Sequence, residues 1–329
     1  MKKYSFSSAI LDGYDFLLTK YSEVFVIGQG LWSPWYVGNT MKDLDKKFGK
    51  KRIIDTPVSE SAVTGAAIGA SLNGMKPIVV HPRMDFMLYA MDPIVNQAAK
   101  WSYMFGGQAS PSITIRAIIN RGGEQGAQHS QALHSWFAHI PGLKVVMPSN
   151  VSDARDLLIA SVLSEQPVIY IDDRWLYEME DTLPPPKEVD LNTITPKLLQ
   201  EGDSITMVGC GYSTTMLRKL TQKLIENKIK PEIIDLRIIN PFNNKLITNS
   251  VKKTGRLFVL DGGWGPCGIS SEIIASVVES IPPSFLKSKP RRLTLPFTPA
   301  PTSKILENEY YPSEEKVFNY IKDIFENNL

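Results

Sequence analysis

The sequence has few cysteines, almost no net charge and no long apolar segment, and each of these features excludes a class of protein. Only Cys210 and Cys267 occur in the 329 residues, which is too few for a disulfide framework and unlike the spacing of a zinc site. No apolar segment is long enough to cross a membrane, and the N-terminus lacks the apolar core of a signal peptide. The 36 basic and 34 acidic residues nearly balance, so we expect no binding to nucleic acid or to a membrane. These features predict a cytoplasmic protein.

Strand-like and helix-like segments alternate along most of the chain. Mostly apolar runs such as 77–81, 112–119 and 232–238 are predicted strands, and segments between such runs, for example 86–103, are predicted helices. This alternation is typical of parallel sheets covered by helices on both faces. The proline-rich segment 178–190 breaks the alternation and is interpreted as a linker, and a second alternating unit follows it. The pattern therefore predicts an α/β protein of two three-layer domains, 1–183 and 184–329, each with a mostly parallel sheet.

The stretch 55–60, Asp-Thr-Pro-Val-Ser-Glu, ends a strand-like run and opens a helix of small residues. Glu60 falls in the first turn of that helix, where the helix dipole favours a carboxylate by about 0.3–1 kcal/mol. Pro57 and Ser59 are ordinary signals for the start of a helix. Taken alone, the stretch is explained by helix formation and indicates no chemistry.

Several further motifs follow this stretch in a fixed order. They are Phe86, the segment 92–100 (Asp-Pro-Ile-Val-Asn-Gln-Ala-Ala-Lys), the segment 128–131 (Gln-His-Ser-Gln) and the segment 139–148 from His139 to Pro148. Together they resemble the beta subunit of the thiamine diphosphate-dependent decarboxylase of pyruvate, branched-chain and acetoin dehydrogenase complexes, which is itself similar to the C-terminal part of transketolases. The resemblance extends over nearly the whole chain. It implies a transketolase-like pyrimidine-binding domain followed by a transketolase-like C-terminal domain.

The resemblance also implies roles for three side chains. Glu60 matches the family's glutamate, which shares a proton with the aminopyrimidine ring of thiamine diphosphate. Phe86 matches the aromatic residue that lies against the same ring, and an ordinary core phenylalanine would explain its position equally well. His129 matches a histidine at the mouth of the active site, where an imidazole can donate to a carboxylate or an oxyanion; a surface or helix-capping histidine is the alternative.

The family's Mg²⁺ and diphosphate site begins at a Gly-Asp-Gly motif, and that motif occurs nowhere in this sequence. The resemblance therefore implies an alpha-type partner subunit that holds Mg²⁺ and the diphosphate, so we assign no metal ligand to this chain. It further implies a homodimer of this chain within a heterotetramer, and a lipoyl-bearing acyltransferase as a further partner.

Departures from the family pattern bear on the substrate. His81 and Arg83 replace mostly apolar residues after a strand, and Arg121 enters the loop that leads to His129. Unpaired cations are costly to bury, so these side chains either pair with acids such as Asp85 or Glu124, or meet an anionic or hydroxyl-rich substrate. His81, Arg83 and Arg121 are the candidate substrate residues. His134 is a further departure, because glutamate is common at its position.

Three functions remain open from the sequence. The first is a beta-type subunit that decarboxylates a 2-oxo acid and transfers the fragment to a lipoyl group. The second is a two-chain, transketolase-like carboligase that transfers the fragment to an aldehyde or sugar carbonyl. The third is a non-catalytic regulatory homologue, which the presence of Glu60, Phe86 and His129 argues against.

Overall fold

The computed structural model describes residues 2–33 and 35–326, and its strands form three sheets within those residues. The strands are β1 (Lys2–Ser5), β2 (Val24–Gly28), β3 (Ile53–Asp55), β4 (Lys76–His81), β5 (Thr114–Ile119), β6 (Lys144–Val146), β7 (Val168–Asp173), β8 (Glu180–Leu183), β9 (Lys197–Gln200), β10 (Ile205–Gly209), β11 (Pro231–Asp235), β12 (Ile238–Asn240), β13 (Leu257–Trp264) and β14 (Arg291–Leu295). The helices are α1 (Phe6–Lys20), α2 (Leu44–Phe48), α3 (Glu60–Ser71), α4 (Trp101–Met104), α5 (His134–Ala138), α6 (Val151–Leu163), α7 (Tyr212–Lys219), α8 (Thr221–Glu226), α9 (Lys245–Thr254), α10 (Ile269–Ser280), α11 (Lys304–Tyr310) and α12 (Glu314–Glu326).

The larger sheet has the strand order β12-β6-β7-β5-β4-β2-β3. Its strands are parallel from β6 to β3, whereas β12 pairs antiparallel with β6. Every residue of β5 and β7 is buried, because helices cover both faces of the sheet. Helices α1 and α6 pack together on one face, and α3 packs on the other face with the segments Phe86–Ala90 and Pro93–Ala98.

The second large sheet has the order β14-β13-β10-β11-β9, and only its edge strand β9 is antiparallel. Helix α12 closes one face through Val317, Phe318 and Ile321, which join the core of β10 and β13. These two covered, mostly parallel sheets confirm the predicted α/β class. No helix among the described residues is long and apolar enough to cross a membrane.

Three segments differ from the sequence interpretation. The helix expected over 86–103 is broken into a 3₁₀ turn, a π-helical turn and α4, because Pro93 has no N–H and cannot continue a regular helix. The expected linker 178–190 contains β8, which pairs antiparallel with β1 in a separate two-stranded sheet. The strand expected over 232–238 ends at Asp235, and the residues that follow form β12, which pairs in the larger sheet. The exact boundary at 183/184 stays a prediction.

Candidate active site

The candidate residues follow strand ends at one edge of the larger sheet. The strands β3, β2 and β4 are in register at their carboxyl ends, where Gly28 lies beside both Asp55 and Val80, and His81 lies beside Ala117 of β5. Ligands of open parallel sheets bind outside this edge. The structure places the following residues after these ends: Glu60 after β3, His81, Arg83 and Phe86 at and after β4, and Arg121 and His129 after β5.

Glu60 is a largely buried residue at the start of a helix. It is the first residue of α3 and is only 8% exposed. Among the residues that the structure describes, no donor pairs with its carboxylate, and the preceding Ser59 makes no side-chain cap. Neither carboxylate oxygen of Glu60 is fully buried among the described residues, so the group stays accessible at the start of α3, where the helix dipole favours its negative charge. The arrangement therefore suits a ligand that donates a hydrogen bond to Glu60.

Phe86 and His129 come together although 43 residues separate them in the numbering. Their rings meet edge-on, with centroids 5.2 Å apart and planes at 87°. Phe86 is half-buried rather than a core residue, and its segment packs against α3, the helix that Glu60 begins. The three residues that the family resemblance singled out therefore lie on packed neighbouring elements.

His81 lies beneath the surface and connects β4 to α3. It is 3% exposed, and its Nε2 is 3.4 Å from Oγ1 of Thr64, which lies one turn after Glu60. Burial lowers the pKa of His81 to about 4, so the imidazole is neutral at pH 7. It offers no positive charge to a substrate. A direct substrate role for His81 stays a prediction.

Arg83 lines a cationic cavity at the end of β4. Its Nη1 is buried and has no hydrogen-bond partner in the described part of the chain, and no carboxylate forms an ion pair with it there. Burial and the nearby charge of Arg174 both lower the pKa of Arg83. The two arginines form a cavity of about 240 Å³ together with Trp35, Tyr36 and Pro82. Two guanidinium groups facing one cavity are suited to an anionic group.

Arg121, in contrast, is paired with an acid other than those expected. Its Nε donates to Oδ2 of Asp173 at 3.0 Å, Nη2 donates to the same oxygen, and Nη1 donates to the carbonyl of Gly262 at 2.9 Å. The guanidinium also lies 5.0 Å from the ring centre of Trp175. Since Gly262 belongs to β13, Arg121 joins the two large sheets. A role in substrate binding stays a prediction.

Two polar contacts near the site were not found from the sequence. His134 Nε2 lies 3.1 Å from Oδ1 of Asp261, whose carboxylate also accepts from the N–H groups of Gly263 and Ser270. Burial opposes ionisation of Asp261, but the histidine and the two N–H groups hold its pKa below the usual value. An acid within the apolar strand β13 was the available signal for this pair.

The second missed contact holds the loop before His129. The Glu307 carboxylate of α11 accepts from the backbone N–H of Glu124, with both oxygens at 3.2 Å. In return, Glu124 Oε1 accepts from the N–H of Lys304 at 3.2 Å. Nothing in the sequence relates positions 183 residues apart, so this contact had no local signal. As for metals, the described residues contain no group of three or more His, Cys, Asp or Glu that could hold an ion.

Comparison with known families gives two matches along the chain. Residues 2–179 match the family described as "Transketolase, pyrimidine binding domain", and residues 196–317 match "Transketolase, C-terminal domain". The candidate residues Glu60, Phe86 and His129 all lie within the first match.

Whole-length relatives were also found. The sequence is 36% identical to the beta subunit of acetoin:2,6-dichlorophenolindophenol oxidoreductase of Cupriavidus necator, covering 96% of each chain. It is 32% identical to the mitochondrial pyruvate dehydrogenase E1 component subunit beta of Homo sapiens, covering 95% of this chain and 88% of that protein. Among solved structures, a "split gene transketolase, inactive beta4 tetramer" superposes with a TM-score of 0.78 at 17% identity, covering 98% of each chain. That likeness establishes a shared fold.

Proposed function

The chain belongs to the transketolase-like family of beta subunits from thiamine diphosphate-dependent 2-oxo acid dehydrogenases, and from that premise we propose that Glu60 and His129 carry its chemistry. The chain acts as the beta-type subunit that, with an alpha-type partner, decarboxylates a 2-oxo acid. The fragment passes to a lipoyl group on an acyltransferase. When bound, thiamine diphosphate supplies the electron sink for decarboxylation.

The observation that carries this proposal is the accessible carboxylate of Glu60, which belongs to a largely buried residue and takes no donor from the described residues. A protonated ring nitrogen is the partner that such a carboxylate lacks, and Glu60 can hold or return that proton. Phe86 offers a half-buried ring to the face of the same heterocycle. His129, held against Phe86, can donate a hydrogen bond to the substrate carboxylate.

The remaining parts of the enzyme come from partners. The described residues include no metal-binding cluster and the sequence has no Gly-Asp-Gly motif, which supports an alpha-type subunit as the source of the Mg²⁺ and diphosphate site. The exposed small residues on α3, Ala62, Gly65, Ala66 and Gly69, allow close approach of a second copy of this chain. We infer a heterotetramer with two copies of each subunit and a cytoplasmic location.

The test is Glu60→Gln, assayed with the alpha-type partner. Glutamine preserves the shape of the side chain but cannot exchange a proton with a ring nitrogen, so we expect activity to fall by about a hundredfold to ten-thousandfold. Glu165→Gln, at an exposed site, is the matched control and should behave as wild type. If Glu60→Gln folds normally and retains a third or more of the activity, Glu60 only complements the helix dipole.

A second function is favoured by the cavity between Arg83 and Arg174. The apolar side chain of a 2-oxo acid such as pyruvate gives two guanidinium groups nothing to bind beyond the carboxylate that every 2-oxo acid carries, whereas an anionic or hydroxylated side chain pairs with them. In this case the chain is part of a two-chain carboligase whose acceptor is an aldehyde or sugar carbonyl.

Arg83→Met distinguishes the two functions in the reconstituted complex. For a polar substrate we expect KM to rise by about tenfold or more, corresponding to loss of a charged hydrogen bond of about 1.5–3 kcal/mol. Arg218→Met, at an exposed position of α7, is the control. If pyruvate with a lipoyl domain reacts as well as hydroxylated substrates do, and Arg83→Met leaves that preference unchanged, the carboligase function is wrong.

A further inference from the structure

The loop that carries His129 has little regular structure to hold it. Residues 120–133 form neither helix nor strand, and a segment of this length without regular structure needs specific contacts to keep one conformation. His129 lies near the middle of the loop and is only half-buried. The contacts that fix its ring must therefore come from neighbouring elements.

Asp85 supplies two of these contacts. Its side chain is 5% exposed, and its Oδ1 accepts from both the backbone N–H and the side-chain Nε2 of Gln131, each at 3.0 Å. On either side of Asp85, Met84 Sδ accepts from the N–H of Leu133 at 3.4 Å, and Phe86 meets the ring of His129. Three consecutive residues after β4 thus contact three alternate residues of the loop.

We propose that Asp85 is a positioning residue for His129: one carboxylate oxygen of Asp85 accepts two hydrogen bonds from Gln131 and thereby fixes the imidazole against Phe86. The proposal rests on the proposed function, because the position of His129 matters for catalysis only if His129 meets the substrate. These two hydrogen bonds hold the loop at Gln131, two residues after His129. Since they use the backbone N–H as well as the side chain of Gln131, they fix the course of the loop as well as one rotamer.

Asp85 holds Gln131 by accepting hydrogen bonds rather than through its negative charge. Both bonds go to Oδ1, while Oδ2 is buried with no partner among the described residues. Burial raises the pKa of Asp85, and the bonds from Gln131 and the charge of His129 oppose that rise. An asparagine at position 85 can present the same acceptor oxygen to Gln131, whereas an alanine cannot.

Nuclear magnetic resonance can report the position of the His129 ring. The full chain, labelled with ¹³C at the histidine ring, gives signals from only four histidines, and His129→Asn assigns the relevant one. Because the Phe86 ring shifts this signal, we expect Asp85→Ala to move it towards its position in Phe86→Leu. Asp85→Asn should leave it near the wild-type position. In the reconstituted complex, Asp85→Ala should lower kcat by about a hundredfold, the cost of a displacement of about 1 Å, with Asp85→Asn restoring most of the rate.

Asp92→Ala is the matched control, since Asp92 is an exposed acid seven positions away whose one hydrogen-bond donor among the described residues is Asn96 of its own turn. Gln131→Ala serves if Asp85→Ala fails to fold, and it should also move the His129 signal. An unmoved His129 signal in Asp85→Ala, or Asp85→Asn behaving as Asp85→Ala does, would overturn the positioning role. Failure of the proposed function would instead appear as an active Glu60→Gln enzyme, whatever the His129 signal does.

Discussion

Replacing Arg121 by methionine should destabilise the fold rather than weaken substrate binding. Arg121 and Asp173 are 5% and 1% exposed, and two guanidinium nitrogens of Arg121 donate to one carboxylate oxygen of Asp173. Methionine preserves most of the side-chain volume but leaves Asp173 with the N–H of Trp175 as its remaining donor. The substitution also removes the bond to the carbonyl of Gly262, which connects the two large sheets.

The loss in the free energy of unfolding follows from the burial of Arg121 and Asp173. Removing one partner of a buried ion pair costs about 3–5 kcal/mol, mostly because the other charge stays buried and unpaired. Arg121→Met/Asp173→Asn should therefore recover a large part of the loss, because asparagine carries no charge and can still cap the N–H of Trp175. Lys3→Met removes an exposed pair with Glu180, whose side chains are 68% and 54% exposed, and should cost no more than about 1 kcal/mol.

Urea unfolding of the full chain at pH 7 measures these differences, and substrate KM in the reconstituted complex is measured in parallel. A loss below about 1 kcal/mol for Arg121→Met would refute the structural role, since it lies within the range of exposed ion pairs. If KM rises at the same time, Arg121 meets the substrate as the sequence suggested.

Two further predictions concern the cofactor and pH. Calorimetry should find weak binding of thiamine diphosphate with Mg²⁺ to the isolated chain, and tight, Mg²⁺-dependent binding there would contradict the assignment of the diphosphate site to a partner. In the complex, Phe86→Ala should weaken cofactor binding by about three- to tenfold through loss of an aromatic contact. Burial raises the pKa of Asp235 from 3.8 to about 7, so between these values the folded state holds a proton that the unfolded state has released, and the free energy of unfolding falls as pH rises. Asp235→Asn should gain stability relative to wild type across this window, and a constant difference between pH 4 and 7 would contradict the buried titration.

The sequence predicted those parts of the site that depend on local pattern. The strand, the proline and the small-residue helix around Glu60 placed it at the start of a helix, and the family resemblance carried by the order of the motifs gave Glu60, Phe86 and His129 their candidate roles. Parallel strands also place the residues after their ends along one edge, so the common location of the candidates follows from the alternation alone.

The parts that were missed depend on long-range contacts. His134 and Asp261 are 127 positions apart, and their pairing follows from how the two large sheets pack. Arg121 could not be assigned to Asp173 from the sequence, because several acids were available to it. The ribbon of β1 and β8 is mostly exposed, so it lacked the apolar alternation that indicates a strand.

The pairing of β12 with β6 limits how this chain can be divided. Strand β6 would be the edge of the first sheet if β12 were removed, and an uncovered edge presents free N–H and C=O groups to other chains. A fragment that ends near residue 190 should therefore aggregate or form swapped dimers, while the complementary fragment would carry β12 without a strand to pair with. A fragment extended through Asn240 would keep β6 covered but would take β9, β10 and β11 from the second sheet. Cutting the chain between the two large sheets therefore disrupts at least one of them, so we expect either half alone to be less stable than the whole chain.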